Sequence, residues 1–447
     1  MNDGHVKVEA LAGSAANEPA ARPTRVRYRV VGLTVLLAMI TYLDRACIGK
    51  MAPEIMRELH LSSVQMSYVF SAFAVAYALF EIPTAWWADR VGTRSILTRI
   101  VLWWSLFTMT TAGVFNLTSL LVTRFLFGMG EAGAWPCVAR TFSRWIPRRD
   151  RGTIKGLFFA GAYLSGGLTP PLVALLLHYM NWRWLFVGFG CLGLAWALVW
   201  HAWFRNEPTE HPSVNAAERE LILAGRPTEV PFQGGWPFWR HLLRQRNVLA
   251  LCLMYVPNAV TFYFCITWLP TYLKERHGFD AASLGFVSGL PLMLSVVSQF
   301  MGGYLSDILA VRYGLRVGRR VPGIVGYSLA ALATFNAATS AVPMTAAVSI
   351  AVATAACMFT TASAWGTCVD IGREHSGVVS AAMNTAGQLG SIVSPLAVAY
   401  SVKWFGDWNL PLYVLGSLFL LGAACWLVID PHRAVFDKKS DEYAVPR

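Results

Sequence analysis

The sequence predicts an all-α membrane protein with twelve transmembrane helices in two pseudo-symmetric six-helix bundles. Three observations predict it. Hydrophobic residues make up 55% of the 447-residue chain and charged residues only 14%, too little charge to cover a soluble domain of this length. Apolar runs long enough to cross a bilayer recur along the chain. A short pattern closing the second run returns at the end of the eighth, which marks an internal repeat.

The first 29 residues are polar and Ala-rich and end in Arg22, Arg25, Arg27 and Arg29, a cytoplasmic tail. The apolar run behind them has no convincing cleavage site and is expected to stay as the first helix. A hydrocarbon core needs about 20 helical residues. On that ruler the spans fall near 30–50, 64–87, 96–114, 118–141, 153–178, 183–204, 247–273, 281–306, 321–341, 343–367, 376–401 and 409–430. Residues 30–204 form the N-terminal bundle and 247–430 the C-terminal bundle. Residues 205–246 are a cytoplasmic central loop and 431–447 a cytoplasmic tail. In the loop, Asn215 and Glu218 have capping-box spacing before "LIL", which predicts a short amphipathic surface helix.

Basic residues set the orientation. Arg90, Arg94 and Arg99 follow span two; Arg144, Arg148, Arg149, Arg151 and Lys155 follow span four; Arg312, Arg316, Arg319 and Arg320 follow span eight. All share a side with the tail and the central loop. The opposite side holds few, Lys50, Arg57, Arg183, Lys274, Arg276 and Lys403 among them. Both termini are therefore expected in the cytoplasm and the protein in the inner (plasma) membrane. The net charge of +12 follows from this bias and calls for no nucleic-acid partner. The eight cysteines fall in apolar segments without a CxxC pair and read as helix-contact fillers. There is no GxxxxGK[ST] phosphate loop, so ATP does not drive this chain, and no HExxH or Cys/His metal spacing. No cofactor or metal is expected.

The charges inside the spans carry the functional signal. A charge at the bilayer centre costs roughly 3 kcal/mol on insertion scales, so such residues default to function. "TYLDRACIG" puts Asp44 and Arg45 in span one, behind Tyr42. Span four carries Arg124 and Glu131, seven apart and thus on one helical face. By helix rise, Arg45 and Arg124 lie about 7 Å outward of the midplane and can converge on one anion. The alternative is a closed ion-pair network, Asp44 with Arg124 and Arg45 with Glu131, that only fixes packing. Glu81, near the cytoplasmic end of span two, either pairs with an interfacial Arg or serves as a later proton station. Tyr42 and Tyr77 can cap a substrate. The second bundle offers neutral polar groups, Asn258, Tyr263 and Trp268 in span seven, Ser363, Trp365 and Thr367 in span ten, and Asn384, Thr385 and Gln388 in span eleven. They suit hydroxyl recognition or interhelical hydrogen bonding. His178 reads as an interface residue; Glu374 and His375 read as solvated.

The repeat is "AWWADRVGTR", residues 85–94, against "GGYLSDILAVRYGLRVGRR", residues 302–320. The first resembles the Gly-x-x-x-Asp-Arg-x-Gly-x-Arg signature of the major facilitator superfamily, with Ala85 in place of the first Gly. "YLDRACI", "ALFEIPTAWWADRVGTR", "RFLFGMGEAGAWP", "RWIPRRDRG", "WLPTYL" and "NTAGQLG" narrow the resemblance to the anion:cation symporter family, which includes galactonate, glucarate and hexuronate carriers and animal sialic acid and phosphate-type relatives. The resemblance implies a secondary transporter, not an enzyme: proton-coupled symport of a small organic anion, such as an aldonate, hexuronate or aldarate, by alternating access. It assigns Arg124 to the substrate carboxylate, Arg45 to substrate or an acid, Asp44 and Glu131 to proton coupling, and polar contacts to Asn384. It makes Asp89, Arg90, Gly92, Arg94 and Asp307 a conformational latch. Tyr42, Tyr77, Tyr263, Trp365 and Gln388 complete the expected substrate site. The expected partners are the anion, protons and the lipid bilayer, and the expected working unit is a monomer. An aromatic or simple carboxylate as cargo, or a transporter-like anion sensor, are the competing readings. A channel is disfavoured, because the site mixes opposite charges.

Overall fold

The computed structural model describes residues 22–147, 150–224, 240–373 and 376–435. The expectations for Arg148, Arg149, Glu374 and His375 fall outside these residues. Among the described residues, sixteen α-helices carry the fold. The first seven are α1 (Val26–Glu58), α2 (Ser63–Val91), α3 (Thr93–Thr110), α4 (Leu117–Glu131), α5 (Ala134–Trp145), α6 (Arg151–Leu177) and α7 (Trp182–Trp203). A short α8 (Ala216–Leu223) lies in the central loop. Beyond it come α9 (Arg246–Thr267), α10 (Leu269–His277), α11 (Ala281–Tyr313), α12 (Leu315–Thr339), α13 (Pro343–Phe359), α14 (Thr361–Gly372), α15 (Ser376–Phe405) and α16 (Leu410–Val428).

α4 with α5, α9 with α10 and α13 with α14 each make one broken pass. Leaving out α8, the helices make twelve passes, as the apolar runs predict. Among the described residues, nine segments are long and apolar enough to cross a membrane by themselves. The other three fall short for local reasons: α3 carries Arg94 and Arg99, α4–α5 is interrupted, and α15 carries Asn384 and Gln388 among many small residues.

That interruption corrects the reading of span four as one helix. α4 stops at Glu131, Ala132 turns to ψ 136° and Gly133 takes φ +87°. The left-handed value suits Gly. A Cβ on Gly133 would also lie 2.5 Å from the Thr84 side chain. The corresponding pass of the second half breaks too, at Thr360. Broken helices in matching places of two repeats are where such folds build their binding sites.

The halves meet along α6–α11 and α2–α15, with α1 against α9 and α10. The seam is tightest in the half away from the chain termini. There a Cβ on Gly49 would lie 1.9 Å from the Ile266 carbonyl oxygen, and one on Gly289 1.9 Å from that of Gly167. The Ser71 hydroxyl donates to the Ile392 carbonyl at 2.9 Å, the Tyr68 and Tyr400 hydroxyls pair, and the Phe70 ring meets Trp268 edge-on with centres 5.5 Å apart.

α8 is held against the start of α1. Asn215 accepts from the Glu218 amide at 2.9 Å, as a cap should. The Glu218 carboxylate does not return to complete a capping box. It accepts from the backbone N–H groups of Val26 and Arg27 at 3.1 and 3.2 Å and from the Arg27 guanidinium at 2.9 Å. A loop carboxylate thus satisfies the orphan donors of the first transmembrane helix.

Candidate anion site

Four ionisable side chains meet inside the N-terminal half. Asp44 and Glu131 are each 1% exposed, Arg124 3% and Arg45 8%. Arg45 is clamped to Glu131 by a charge-assisted hydrogen bond from Nε to Oε1. The break after Glu131 places this carboxylate, at the last position of α4, against α1. The Arg45 guanidinium is surrounded by aromatic faces: its Cζ is 4.9 Å from the ring centre of Tyr77, 5.3 Å from Phe73, 5.8 Å from Trp135 and 5.9 Å from Tyr42. Such faces stabilise a desolvated cation.

Arg124 is different. Its Cζ lies 4.3 Å from the Phe127 ring centre and 5.5 Å from Phe73. Among the described residues it forms no ion pair and no hydrogen bond, and its Nε is buried without a partner. Asp44 is its counterpart: both carboxylate oxygens are buried without a hydrogen-bond partner. Arg124, Glu131 and the Trp104 indole are the groups around that carboxylate. So the network alternative is realised by half. Arg45 is paired with Glu131, while Arg124 and Asp44 are neighbours that do not bond.

This corrects the picture of two free guanidinium groups converging on one anion. Both lie over the Phe73 ring, but Arg45 already has a carboxylate. The reason is rotational: Arg124 and Glu131 share one face of α4, and Arg45 reaches the end of that face where the helix stops.

The neutral groups divide. Tyr42 lies at the seam, its ring 5.4 Å from Phe262 of the second half and 5.5 Å from Tyr163. The Tyr77 hydroxyl is buried and unpartnered. Tyr263 reaches across from α9 toward Arg45 and Glu131, next to Ser391. Gln388 accepts from the Ser391 hydroxyl at 3.3 Å, and Asn384 is half-buried one turn earlier on α15. Trp365 is not gathered into this cluster. It is 38% exposed and its indole donates to the Tyr255 hydroxyl at 3.3 Å. Asn258 donates to the Thr361 hydroxyl at 3.3 Å, across the span-ten break.

Phe73, Phe127, Trp104, Trp135, Tyr163 and Phe262 were not foreseen as lining residues. In a chain with 58 aromatic residues (25 Phe, 18 Trp, 15 Tyr) nothing distinguishes these six before folding.

The residues expected to form a latch lie at the terminal end. Gly92 has φ +95°, and a Cβ there would sit 2.7 Å from the Asn206 side chain. Asn206 Oδ1 accepts from the Arg94 amide at 2.9 Å, and the Arg94 guanidinium donates to the His201 carbonyl at 2.9 and 2.6 Å. Arg144 pairs with Glu207 at 2.9 Å. Asp307 is exposed and pairs with Arg319 at 3.2 Å; Arg319 also holds Asp370 at 2.8 Å. These contacts stay within one half each. Asp89 lies in the last turn of α2, but its side chain falls outside the described residues.

The profile of the Major Facilitator Superfamily matches residues 34–395. The chain is 32% identical over 428 residues to "Probable sulfoacetate transporter SauU" of Cupriavidus necator, covering 94% of this chain and 99% of the relative. It is 30% identical over 449 residues to "Probable galactarate/D-glucarate transporter GudP" of Bacillus subtilis, covering 96% and 97%. It is 28% identical over 422 residues to a "D-galactonate transporter" of Escherichia coli O6:H1, covering 92% and 97%. Among solved structures, it superposes with a TM-score of 0.72 at 18% identity on a bacterial homologue of the human lysosomal transporter Spinster, over 90% of this chain and 96% of that one. With twelve helical passes, a repeated loop motif and this match over most of its length, the chain is a transporter, not an enzyme, and belongs to the Major Facilitator Superfamily.

Proposed function

We propose that this protein is a proton-coupled symporter of a small organic anion across the inner membrane, with both termini in the cytoplasm. One observation carries the reading: among the described residues, Arg124 is a buried guanidinium without an ion-pair partner. Arg cannot shed its proton in a protein, so an uncompensated one in low dielectric is a standing receptor for an anion. Its planar fork suits a carboxylate held bidentately. Asp44 and Glu131 are the proton carriers. An anion alone is repelled by an inside-negative potential and needs a cation beside it. An anion at Arg124 adds negative charge near Asp44 and Glu131 and favours their protonated forms. A proton on either acid favours the anion in return.

The close contacts between the halves away from the termini support a carrier open to the cytoplasm. On this reading the residues of the repeated loops act as the latch that must form when that side closes.

The cargo is a carboxylate-bearing molecule small enough for a site between two bundles. The relatives carry names for galactarate, D-glucarate and D-galactonate transport, which support a hydroxylated sugar acid. Asn384 and Gln388 would meet its hydroxyl groups. The sulfoacetate name of the 32%-identical relative supports a second reading, a simple short-chain acid.

Proteoliposomes with an imposed pH gradient test the proposal, using D-galactonate, galactarate, D-glucarate, sulfoacetate and an aromatic acid as substrates. Gradient-driven accumulation of one of them by the unaltered protein is expected. Glu131→Gln, a permanent mimic of the protonated form, should exchange that substrate but accumulate it at least roughly tenfold less. Accumulation by Glu131→Gln at the unaltered level would remove Glu131 from the mechanism.

A further inference from the structure

Glu81 has no place in the scheme above. It lies one helical turn beyond Tyr77 on α2, on the same face and nearer the termini. It is half-buried. Among the described residues, the cation whose charge acts on it is Arg45, deep in the span. Tyr77 lies between them, with its ring centre 4.9 Å from the Arg45 guanidinium and its hydroxyl buried without a partner. Arg45 gives its Nε to Glu131, while its Nη2 is buried and unbonded. Arg45 thus has one carboxylate on its bonded side and a second within electrostatic reach.

We propose that Glu81 is an alternating partner for Arg45, taking the guanidinium from Glu131 when Glu131 is protonated. The inference rests on the reading of Glu131 as a proton carrier. Its physical reason is charge balance. A neutral Glu131 carboxylic acid no longer compensates Arg45, and a buried cation without a partner is strongly disfavoured. If no other carboxylate were present, Arg45 would hold Glu131 in its ionised form and resist the proton. With Glu81 at hand, the guanidinium turns toward the termini past the Tyr77 ring, keeps a partner, and frees Glu131 to bind the proton. Loss of that proton brings Arg45 back. No bond is made or broken beyond the Glu131 O–H, whose proton comes from and returns to water. Glu81 is a positioning residue here: it acts on Glu131 through Arg45. The charged and titratable groups facing the cluster are Tyr42 and Asp44 on α1, Tyr77 on α2, Arg124 and Glu131 on α4, and Tyr263 on α9.

Infrared difference spectroscopy of the purified protein across pH tests this without any substrate. The protonated-carboxyl band missing from Glu131→Gln identifies Glu131. In Glu81→Gln, and in the second neutral variant Glu81→Met, the midpoint of that band should fall by about one pH unit, a tenfold loss of proton affinity. Glu81→Asp, which keeps the charge, should stay near the unaltered protein. Plain repulsion between two carboxylates would lower the midpoint in the same direction, so the shift is measured again with Arg45→Gln. If Arg45 mediates, replacing Glu81 no longer moves the band there. An unchanged midpoint in both neutral variants, or a shift that survives Arg45→Gln, overturns the inference and leaves the coupling role of Glu131 standing. A Glu131 band that does not titrate in the unaltered protein overturns both.

Discussion

Of the two arginines at the candidate site, Arg45 is bonded to a carboxylate, whereas Arg124, among the described residues, is not. Removing Arg45 leaves Glu131 without its bonded partner; removing Arg124 leaves no bonded partner behind. Arg124→Ala should therefore fold at least as well as the unaltered protein while losing substrate binding by roughly 100-fold or more, the scale of a charge-assisted bidentate contact. Arg124→Lys keeps the charge but not the planar fork and should fail nearly as badly. Binding of the transported acid in detergent, with helix content as a control for folding, checks both. Near-normal affinity in Arg124→Ala would place the anion elsewhere.

At the level of the helices, function depends on where they break and where they touch. The break at Ala132–Gly133 lets Glu131 face α1 from a helix end. The contact at Gly49 does the complementary work one turn beyond Arg45 on α1, where its backbone lies directly against Ile266. A side chain there has no space unless α1 and α9 separate. Gly49→Val should therefore keep the end away from the termini from closing. Transport should fall at least roughly tenfold, while affinity for the anion stays within about threefold, since overpacking acts on the state in which the seam is shut. Cross-linking of Tyr68→Cys to Tyr400→Cys by a bifunctional thiol reagent that spans the space of the two meeting side chains gives a direct reading. Cross-linking in the Gly49→Val background as efficient as without it would show that the close approach is dispensable.

For the molecule as a whole, the terminal end is built from two loops of the same design. In each, a Gly at positive φ starts the next helix, Gly92 at +95° and Gly314 at +89°. In the first the following Arg docks on its own bundle; in the second Arg319 gathers Asp307 and Asp370. Asp89 lies about 20 Å or more from the Arg124 level by helix rise. It should govern cycling and not recognition. Asp89→Asn is expected to slow transport in proteoliposomes at least roughly fivefold with binding affinity unchanged within a few-fold. Loss of binding by folded Asp89→Asn would contradict a latch role.

The sequence by itself determined the number of passes, the pairing of the halves through the 85–94 and 302–320 repeat, and the four ionisable residues of the site. Each is a property of composition along a helix: twenty apolar residues must span, a charge among them stands out, and residues seven apart share a face. The tertiary structure alone decided which charges bond. Arg45 with Glu131, Arg124 and Asp44 unbonded, and Trp365 turned to Tyr255 depend on how each helix is rotated and on a non-helical Ala132–Gly133 step. "GMGEAG" marks a weak point there without saying which residue leaves the helix. The destination of Glu218 was equally hidden. Asn215-x-x-Glu218 predicts a local cap, yet the carboxylate crosses 191 positions to Arg27, because the first helix of the bundle brings unsatisfied N–H groups that no spacing rule within the loop can anticipate.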